Sequence, residues 1–281
     1  MPKTEPPAPK LLTEASALIS RSEAEFLLTH LLNVSRHELY LGPAIAARTA
    51  SRFRRLVART KAGEPVQYLT RSAPFLGFDV YVDHRVLIPR PETEELVVRA
   101  LSRIRSGCKL QAVSRKLLAL DFGAGSGCIA IALARAVPEM TIMAVDSSKA
   151  ALAVATRNVS RYGLATRIRL LRARSFTERS LARLCGRLDL LVSNPPYVPT
   201  PRLARLEANV RREPRLALDG GQKGDNIVAM LLKHGPVLLK PGGLLAIEID
   251  ATHEAVVRAL APTAEVERDD AGRIRYAFLT K

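Results

Sequence analysis

The chain reads as an α/β protein, a doubly wound parallel sheet preceded by a small N-terminal helical domain. Three observations predict this. Short aliphatic runs, Leu117–Phe122, Thr141–Asp146, Ile168–Arg172 and Leu188–Ser193, alternate with helical stretches, and strands apolar on both faces belong to a parallel sheet covered by helices. The region Leu11–Thr70 instead repeats its apolar residues at three- and four-residue steps, the helical period. The length of 281 residues, with 47% hydrophobic and 25% charged residues, suits about two ordinary domains of a globular protein.

In order, Met1–Lys10 is a proline-rich tail with no apolar core of a signal peptide, and it is expected to be disordered. Residues 11–74 form the helical domain. Leu18, Ile19, Phe26, Leu27, Leu31 and Leu32 mark one helix, with Ser22 as its cap and Glu25 closing a capping box. A second helix spans Ala44–Ala62 and stops at Gly63. Phe75–Val82 and Arg85–Ile88 have strand composition and predict a hairpin over 75–90 that joins the two domains. The third region, 91–281, opens with a helix at Pro91 that carries acidic residues in its first turn. Ser106–Lys116 is polar and reads as a loop.

After Leu117–Phe122 come a helix over Cys128–Val137 and the strand ending at Asp146. A helix capped by Ser147 then runs to Tyr162 and stops at Gly163. Beyond Ser193 the reading is a helix over Asn226–Leu239, a turn at Pro241-Gly242-Gly243 and a strand over Leu244–Ile249. A helix over Ala251–Leu260 and a last strand over Ile274–Leu279 complete it.

Composition narrows the function classes. No run of about eighteen apolar residues occurs, so no membrane span is expected, and the cytosol is the expected location. Cys108, Cys128 and Cys185 have no paired spacing, and the five histidines are dispersed; no metal site or disulfide framework is assigned. The formal charge is +16, from 43 Lys and Arg against 27 Asp and Glu. That excess suits an acidic partner, nucleic acid or an anionic protein surface, although arginine-rich codon usage would also produce it.

Asp121-Phe122-Gly123-Ala124-Gly125-Ser126-Gly127 lies at a strand-to-helix turn, where α/β sheets bind ligands. Glycines there allow close approach to the backbone. Asp146 ends the next strand, the place for a carboxylate that accepts from both hydroxyls of a ribose. The spacing is G-x-G-x-G, not the dinucleotide G-x-G-x-x-G, and no Lys-Ser/Thr pair follows for a triphosphate. A glycine loop with a ribose acid and no pyrophosphate cradle fits S-adenosylmethionine better than NAD. A structural tight turn is the plainer alternative.

Asn194-Pro195-Pro196-Tyr197 ends the fourth strand. The two prolines hold the backbone extended and donate no hydrogen bond. With a methyl donor next to it, this loop acquires a role. The Asn194 side-chain oxygen and the Pro195 carbonyl can accept both N–H bonds of a planar nitrogen, and Tyr197 can stack on the group. Position and electrostatics would then activate a poor nucleophile. A proline-rich strand exit without chemistry is the alternative.

Taken together, these residues make the chain resemble the HemK/PrmC family of protein-(glutamine-N5) methyltransferases over nearly all of Leu11–Lys281. The likeness rests on Ser22-Glu23-Ala24-Glu25, Ser35-Arg36-His37-Glu38-Leu39, Gly63-Glu64-Pro65-Val66-Gln67-Tyr68-Leu69 and Val86-Leu87-Ile88-Pro89-Arg90-Pro91-Glu92-Thr93-Glu94. It continues in the glycine loop, Asp146, Asn158, Ser193-Asn194-Pro195-Pro196-Tyr197, Glu213-Pro214 and Ala217-Leu218. The Asn-Pro-Pro-Tyr loop is shared with adenine-N6 methyltransferases, whereas the Ile88–Glu94 segment behind a helical domain is far more specific.

The resemblance implies a Rossmann-like class I methyltransferase fold. It implies S-adenosylmethionine held by Asp121, Gly123, Ala124, Gly125, Ser126, Gly127, Asp146, Ser175 and Asn194. It implies a release-factor glutamine, from a Gly-Gly-Gln loop, held by Asn194, Pro195, Pro196 and Tyr197, and a helical domain that helps to receive the release factor. Asn194, Pro195 and Tyr197 are the implied catalytic set. Three positions depart from the family: Arg174 where an acid usually follows the third strand, Gly220–Asp225 without the usual Asp-Gly-Leu ending, and Asp250 in place of a glycine. Gly220-Gly221-Gln222 spells the substrate triplet and is read as coincidence.

Two other functions stay open from the residues. An adenine-N6 methyltransferase on RNA or DNA agrees with the charge, but no nucleic-acid-binding module accompanies it. A non-catalytic binding protein agrees with Arg174, but not with the presence of Asn194, Tyr197 and Asp146.

Overall fold

The structure, a computed structural model, describes residues 7–107, 116–176 and 178–281. The chain divides into two compact units, Met1–Ser72 with Glu207–Arg212 and Ala73–Leu206 with Glu213–Lys281. None of the helices described is long and apolar enough to cross a membrane.

The first unit is helical: α1 (Ala8–Ser16), α2 (Arg21–Leu32), α3 (Arg36–Tyr40), α4 (Ala47–Lys61) and α5 (Val66–Thr70). Leu11, Leu12, Leu27, Leu28, Leu39 and Phe53 fill its core. α1 starts inside the stretch read as a tail, because a proline in the first turn of a helix has no bond to lose; residues 1–6 of that tail lie outside the described residues. Ser20, not Ser22, caps α2, and its partner in the capping box is Glu23. The reason lies at Glu25, which turns inward and accepts from Arg21 at 3.0 Å and from the Tyr40 hydroxyl. α4 begins at Ala47, after the expected Ala44, and leaves Arg48, Arg52 and Arg55 exposed.

The second unit opens with β1 (Ala73–Phe75) and β2 (Phe78–Val80), paired antiparallel. Leu76 and Gly77 between them have φ of 43° and 76°, the backbone of a tight hairpin turn. The second hairpin strand expected at Arg85–Ile88 is absent. Asp83 folds that segment into a turn by accepting from Arg85 N at 3.0 Å and Arg85 Nε at 2.8 Å. α6 (Pro91–Gly107) follows. The loop expected over 106–116 falls mostly outside the described residues.

The remaining elements run β3 (Leu117–Phe122), α7 (Cys128–Ala136), β4 (Met140–Asp146), α8 (Lys149–Arg161), β5 (Ile168–Arg172), α9 (Arg179–Ala182), β6 (Leu188–Ser193), α10 (Asn226–Leu238), β7 (Leu239–Glu248), α11 (Glu254–Leu260), β8 (Glu265–Arg268) and β9 (Ile274–Thr280). The strands make one seven-stranded sheet in the order β5-β4-β3-β6-β7-β9-β8. β3 to β7 are parallel, while β9 and β8 run antiparallel at one edge. The chain passes outward from β3 through β4 to β5 and returns to the other side of β3 as β6. The crevice therefore lies at the carboxyl ends of β3 and β6.

Three local differences from the sequence reading have physical causes. Ser148, not Ser147, caps α8, since Asp146 already holds the Ser148 N–H at 2.8 Å. Pro241-Gly242-Gly243 does not interrupt β7 but bulges it. The register against β6 slips between Leu188 and Leu190, and a Cβ on Gly243 would meet the Leu188 carbonyl at 2.7 Å. β8 was not anticipated because its residues are largely charged. Its Glu265 and Glu267 pair with Arg103 and Arg99 of α6, each at 2.7 Å.

Candidate active site

The carboxyl ends of β3, β4 and β6 surround a cavity of about 210 Å³. From β3 the chain enters the glycine loop, where Gly123, Gly125 and Gly127 have φ of 84°, 53° and 82°. These left-handed values are costly for any residue with a Cβ. A Cβ on Gly123 would stand 3.8 Å from the Asn194 carbonyl, an ordinary contact, so it is the backbone conformation and not space that calls for glycine there. The loop is laced to its surroundings. Asp146 Oδ2 accepts from Gly125 N at 2.9 Å, and the Asn158 amide donates to Ser126 O at 2.9 Å. The same Asn158 pairs with both backbone groups of Tyr81.

Two carboxyls lie near the loop. Burial raises the Asp146 carboxyl, against N–H bonds from Ser148, Gly125 and Ser147. Asp121 is fully buried, and burial, with the field of Asp146 adding, pushes it up to about 7. Its Oδ2 accepts from Ala130 N at 3.2 Å, while Oδ1 has no hydrogen-bond partner among the described residues. A buried pair of carboxyls at a glycine loop favours a cationic ligand.

β6 enters the Asn194–Tyr197 loop, and Ser193 Oγ donates to Phe122 O at 2.6 Å, so the two strand ends stay together. Asn194 Nδ2 donates to Thr93 Oγ1 at 2.8 Å, and Thr93 Oγ1 donates to Glu248 Oε2 at 2.7 Å. The Tyr197 hydroxyl donates to Glu248 Oε1 at 3.2 Å. Asn194 Oδ1 and the Pro195 carbonyl accept no hydrogen bond from a described residue, and both residues line the cavity. The segment that carries Thr93 is held in turn by Glu213, which accepts from Ile88 N at 3.0 Å and from Arg90.

Gly220-Gly221-Gln222 has a steric explanation. A Cβ on Gly220 would lie 2.8 Å from the Pro196 carbonyl, and one on Gly224 would lie 2.4 Å from the Tyr197 carbonyl. These glycines let the loop lie against the Asn194–Tyr197 turn, and Gln222 is exposed. Asp250 is a local cap: it accepts from Thr252 N at 3.1 Å and has an extended backbone with no need of glycine. Arg174 lines the cavity with an exposed side chain, and its N–H donates to Glu178 at 2.6 Å. An acidic group thus stays next to that position.

Of the residues singled out in the sequence, Gly123, Ala124, Gly125, Ser126, Asp146, Asn194, Pro195 and Pro196 line the cavity together. Asp121, Gly127, Ser175 and Tyr197 are not part of its wall. Asp121 has no exposed surface and supports the first turn of α7. Gly127 caps that helix, with a Cβ there meeting Ala155 at 3.3 Å. Tyr197 directs its hydroxyl away to Glu248. Thr93 and Glu248 were given no role by sequence reasoning. A single carboxylate inside the otherwise aliphatic run Leu244–Ile249 was the available signal.

A glycine loop, a strand-end acid and an accepting amide at the switch point of this sheet define a class I methyltransferase. Residues 94–205 match the family model described as the methyltransferase small domain, and residues 8–70 match the PrmC N-terminal domain. The chain is similar to the release factor glutamine methyltransferase of Moorella thermoacetica, with 42% identity over 89% of this chain and 85% of the relative. The enzyme of the same name from Deinococcus radiodurans is 35% identical over 95% of both chains. Among solved structures, a methyltransferase from Pyrococcus furiosus superposes with a TM-score of 0.51 and 16% identity, over 82% of this chain and 98% of that one; at that identity the likeness concerns the fold alone. The chain belongs to the release factor glutamine methyltransferase family.

Proposed function

We propose that the protein transfers a methyl group from S-adenosylmethionine to the side-chain amide nitrogen, N5, of the glutamine in the Gly-Gly-Gln loop of a peptide-chain release factor in the cytosol. One observation carries this reading. Two adjacent residues, Asn194 and Pro195, offer the cavity two acceptors with no partner among the described residues. Two acceptors and no donor complement a primary amide NH₂.

The residues present fit the methyl donor. The cavity is bounded by a glycine loop whose left-handed backbone disfavours side chains and leaves its surface open, and a buried carboxyl with an unpartnered oxygen lies behind it. When bound, S-adenosylmethionine supplies an electrophilic methyl carbon on a positively charged sulfur. Asp146 would accept from the ribose hydroxyls with the lone pairs that Gly125 and Ser148 leave free. The carboxylate of Asp146 at the cavity wall favours the cation.

Asn194 and Pro195 act on the substrate. By accepting both N–H bonds they fix the direction of the amide nitrogen and reduce the delocalisation of its lone pair. Pre-organisation of this kind, not a strong base, lowers the barrier. The new N–C bond would form as the methyl–sulfur bond breaks to leave a neutral thioether, and the nitrogen, cationic at that point, would then give its proton to solvent. Tyr197 lies outside the cavity wall and anchors the loop through its hydroxyl on Glu248, in place of the stacking expected from the sequence.

The test incubates the protein with labelled methyl donor and, in parallel, release factor, its loop Gln→Ala variant, and RNA. Label on the unmodified release factor alone is expected. Label on RNA, or on the variant to an equal extent, overturns the reading.

A further inference from the structure

The Asn194 amide works only one way round. Its oxygen must face the cavity, since an NH₂ there would oppose the N–H groups of the substrate. An amide side chain is nearly symmetric in shape, so packing does not choose between the two orientations; hydrogen bonding does. The choice is made by residues with almost no exposed surface, although Thr93 lies in the cavity wall. Thr93 and Glu248 are 2% and 1% exposed. An ionised carboxylate accepts and cannot donate, and Glu248 already receives the Tyr197 hydroxyl on Oε1. The Thr93 proton therefore goes to Oε2 at 2.7 Å, and the Thr93 oxygen is left to accept from Asn194 Nδ2 at 2.8 Å.

We propose that Thr93 and Glu248 are positioning residues that fix the Asn194 amide with its oxygen towards the glutamine. This rests on the glutamine-N5 reading above. Three elements meet at this point: the first turn of α6 brings Thr93, the end of β7 brings Glu248, and the exit of β6 brings Asn194 and Tyr197. The Glu-Thr-Glu part of the Ile88–Glu94 segment thereby acquires a purpose: its threonine relays the polarity of a buried carboxylate to the substrate-holding amide.

Thr93→Val keeps the shape and removes the hydroxyl. Its expected effect is a fall in kcat of about 100-fold, the scale of a mispositioned reacting group, with the Kd for S-adenosylmethionine measured by calorimetry unchanged. Thr93→Ser should restore most of the activity, which a purely structural role for the methyl group would not predict. Glu248→Gln is the second variant: it is isosteric, can donate as well as accept, and should raise KM for the release factor and lower kcat. Asn194→Ala serves as the reference. If it retains turnover, the glutamine-N5 reading of Asn194 fails. If it is inactive while folded Thr93→Val and Glu248→Gln both keep wild-type kcat and KM, the positioning proposal alone is overturned. Loss of activity in Thr93→Ser equal to that in Thr93→Val also overturns it.

Discussion

Burial pushes the Glu248 carboxyl up to about 7 from an ordinary value near 4.5, and Glu92 pushes the same way. Thr93, Arg275 and Tyr197 oppose it, and the ring of Tyr276 lies within its field. The raised value has a definite sign. Between about pH 4.5 and 7 the folded chain holds a proton at this position that the unfolded chain has lost, so ionising Glu248 costs folding stability as pH rises across that window. Orientation of Asn194 needs the ionised form, so stability and activity move in opposite directions. Thermal unfolding of the protein and of Glu248→Gln should show the variant gaining relative stability up to about pH 7 and levelling above it. A difference independent of pH would contradict this account of Glu248. Asp146 tests the cofactor side. Replacing it with Ala should weaken S-adenosylmethionine binding by about 1.5–3 kcal/mol, the usual worth of hydrogen bonds to a charged group; an unchanged Kd in calorimetry would refute the ribose role.

At the scale of elements, much of the chain was legible because local and global signals agree. β3, β5 and β6 have the bounds read from the sequence; β3 and β6, central and buried on both faces, leave a nearly unbroken apolar record, while the edge strand β5 is legible from Ile168, Leu170 and Leu171 set among arginines. Where two local signals compete, the sequence does not decide. Ser20-Arg21-Ser22-Glu23 and Ser22-Glu23-Ala24-Glu25 are both capping boxes in pattern, and only the tertiary pull of Tyr40, Arg21 and Arg36 on Glu25 selects the first. Ser20→Ala should therefore lower stability by about 1 kcal/mol, the usual worth of an N-cap. Ser22→Ala should be close to neutral. Denaturant melts of both variants check the pair; the reverse order would mean that α2 is capped as the simpler pattern suggests. Arg85–Ile88 failed as a strand for a similar reason, because the Asp83 side chain takes up the backbone that a ladder would need. That Asn194 and the glycine loop meet at one cavity was legible from residue type and position. Thr93 and Glu248 were not, because their hydrogen bond joins residues distant in the chain and each alone resembles ordinary helix or strand composition.

At the scale of the whole molecule, the order of strands produces the chemistry. Returning to the far side of β3 places the Asn194 loop beside the glycine loop, so both line one cavity. The departures at Arg174, Gly220–Asp225 and Asp250 leave that arrangement intact: Glu178 lies on Arg174 N, the glycines pack on the turn, and Asp250 caps its own loop. The excess of basic residues includes Arg48, Arg52 and Arg55, exposed along α4 in the helical unit. Under the proposed function, this arrangement serves one nitrogen atom. The direct measurement is tandem mass spectrometry of a release factor incubated with the protein and S-adenosylmethionine, to locate the added methyl group. It is predicted on the side-chain nitrogen of the Gly-Gly-Gln glutamine, and absent when the Asn194→Ala variant is used. A methyl group on any other residue, or an unmodified loop peptide beside methylated RNA, would contradict the account.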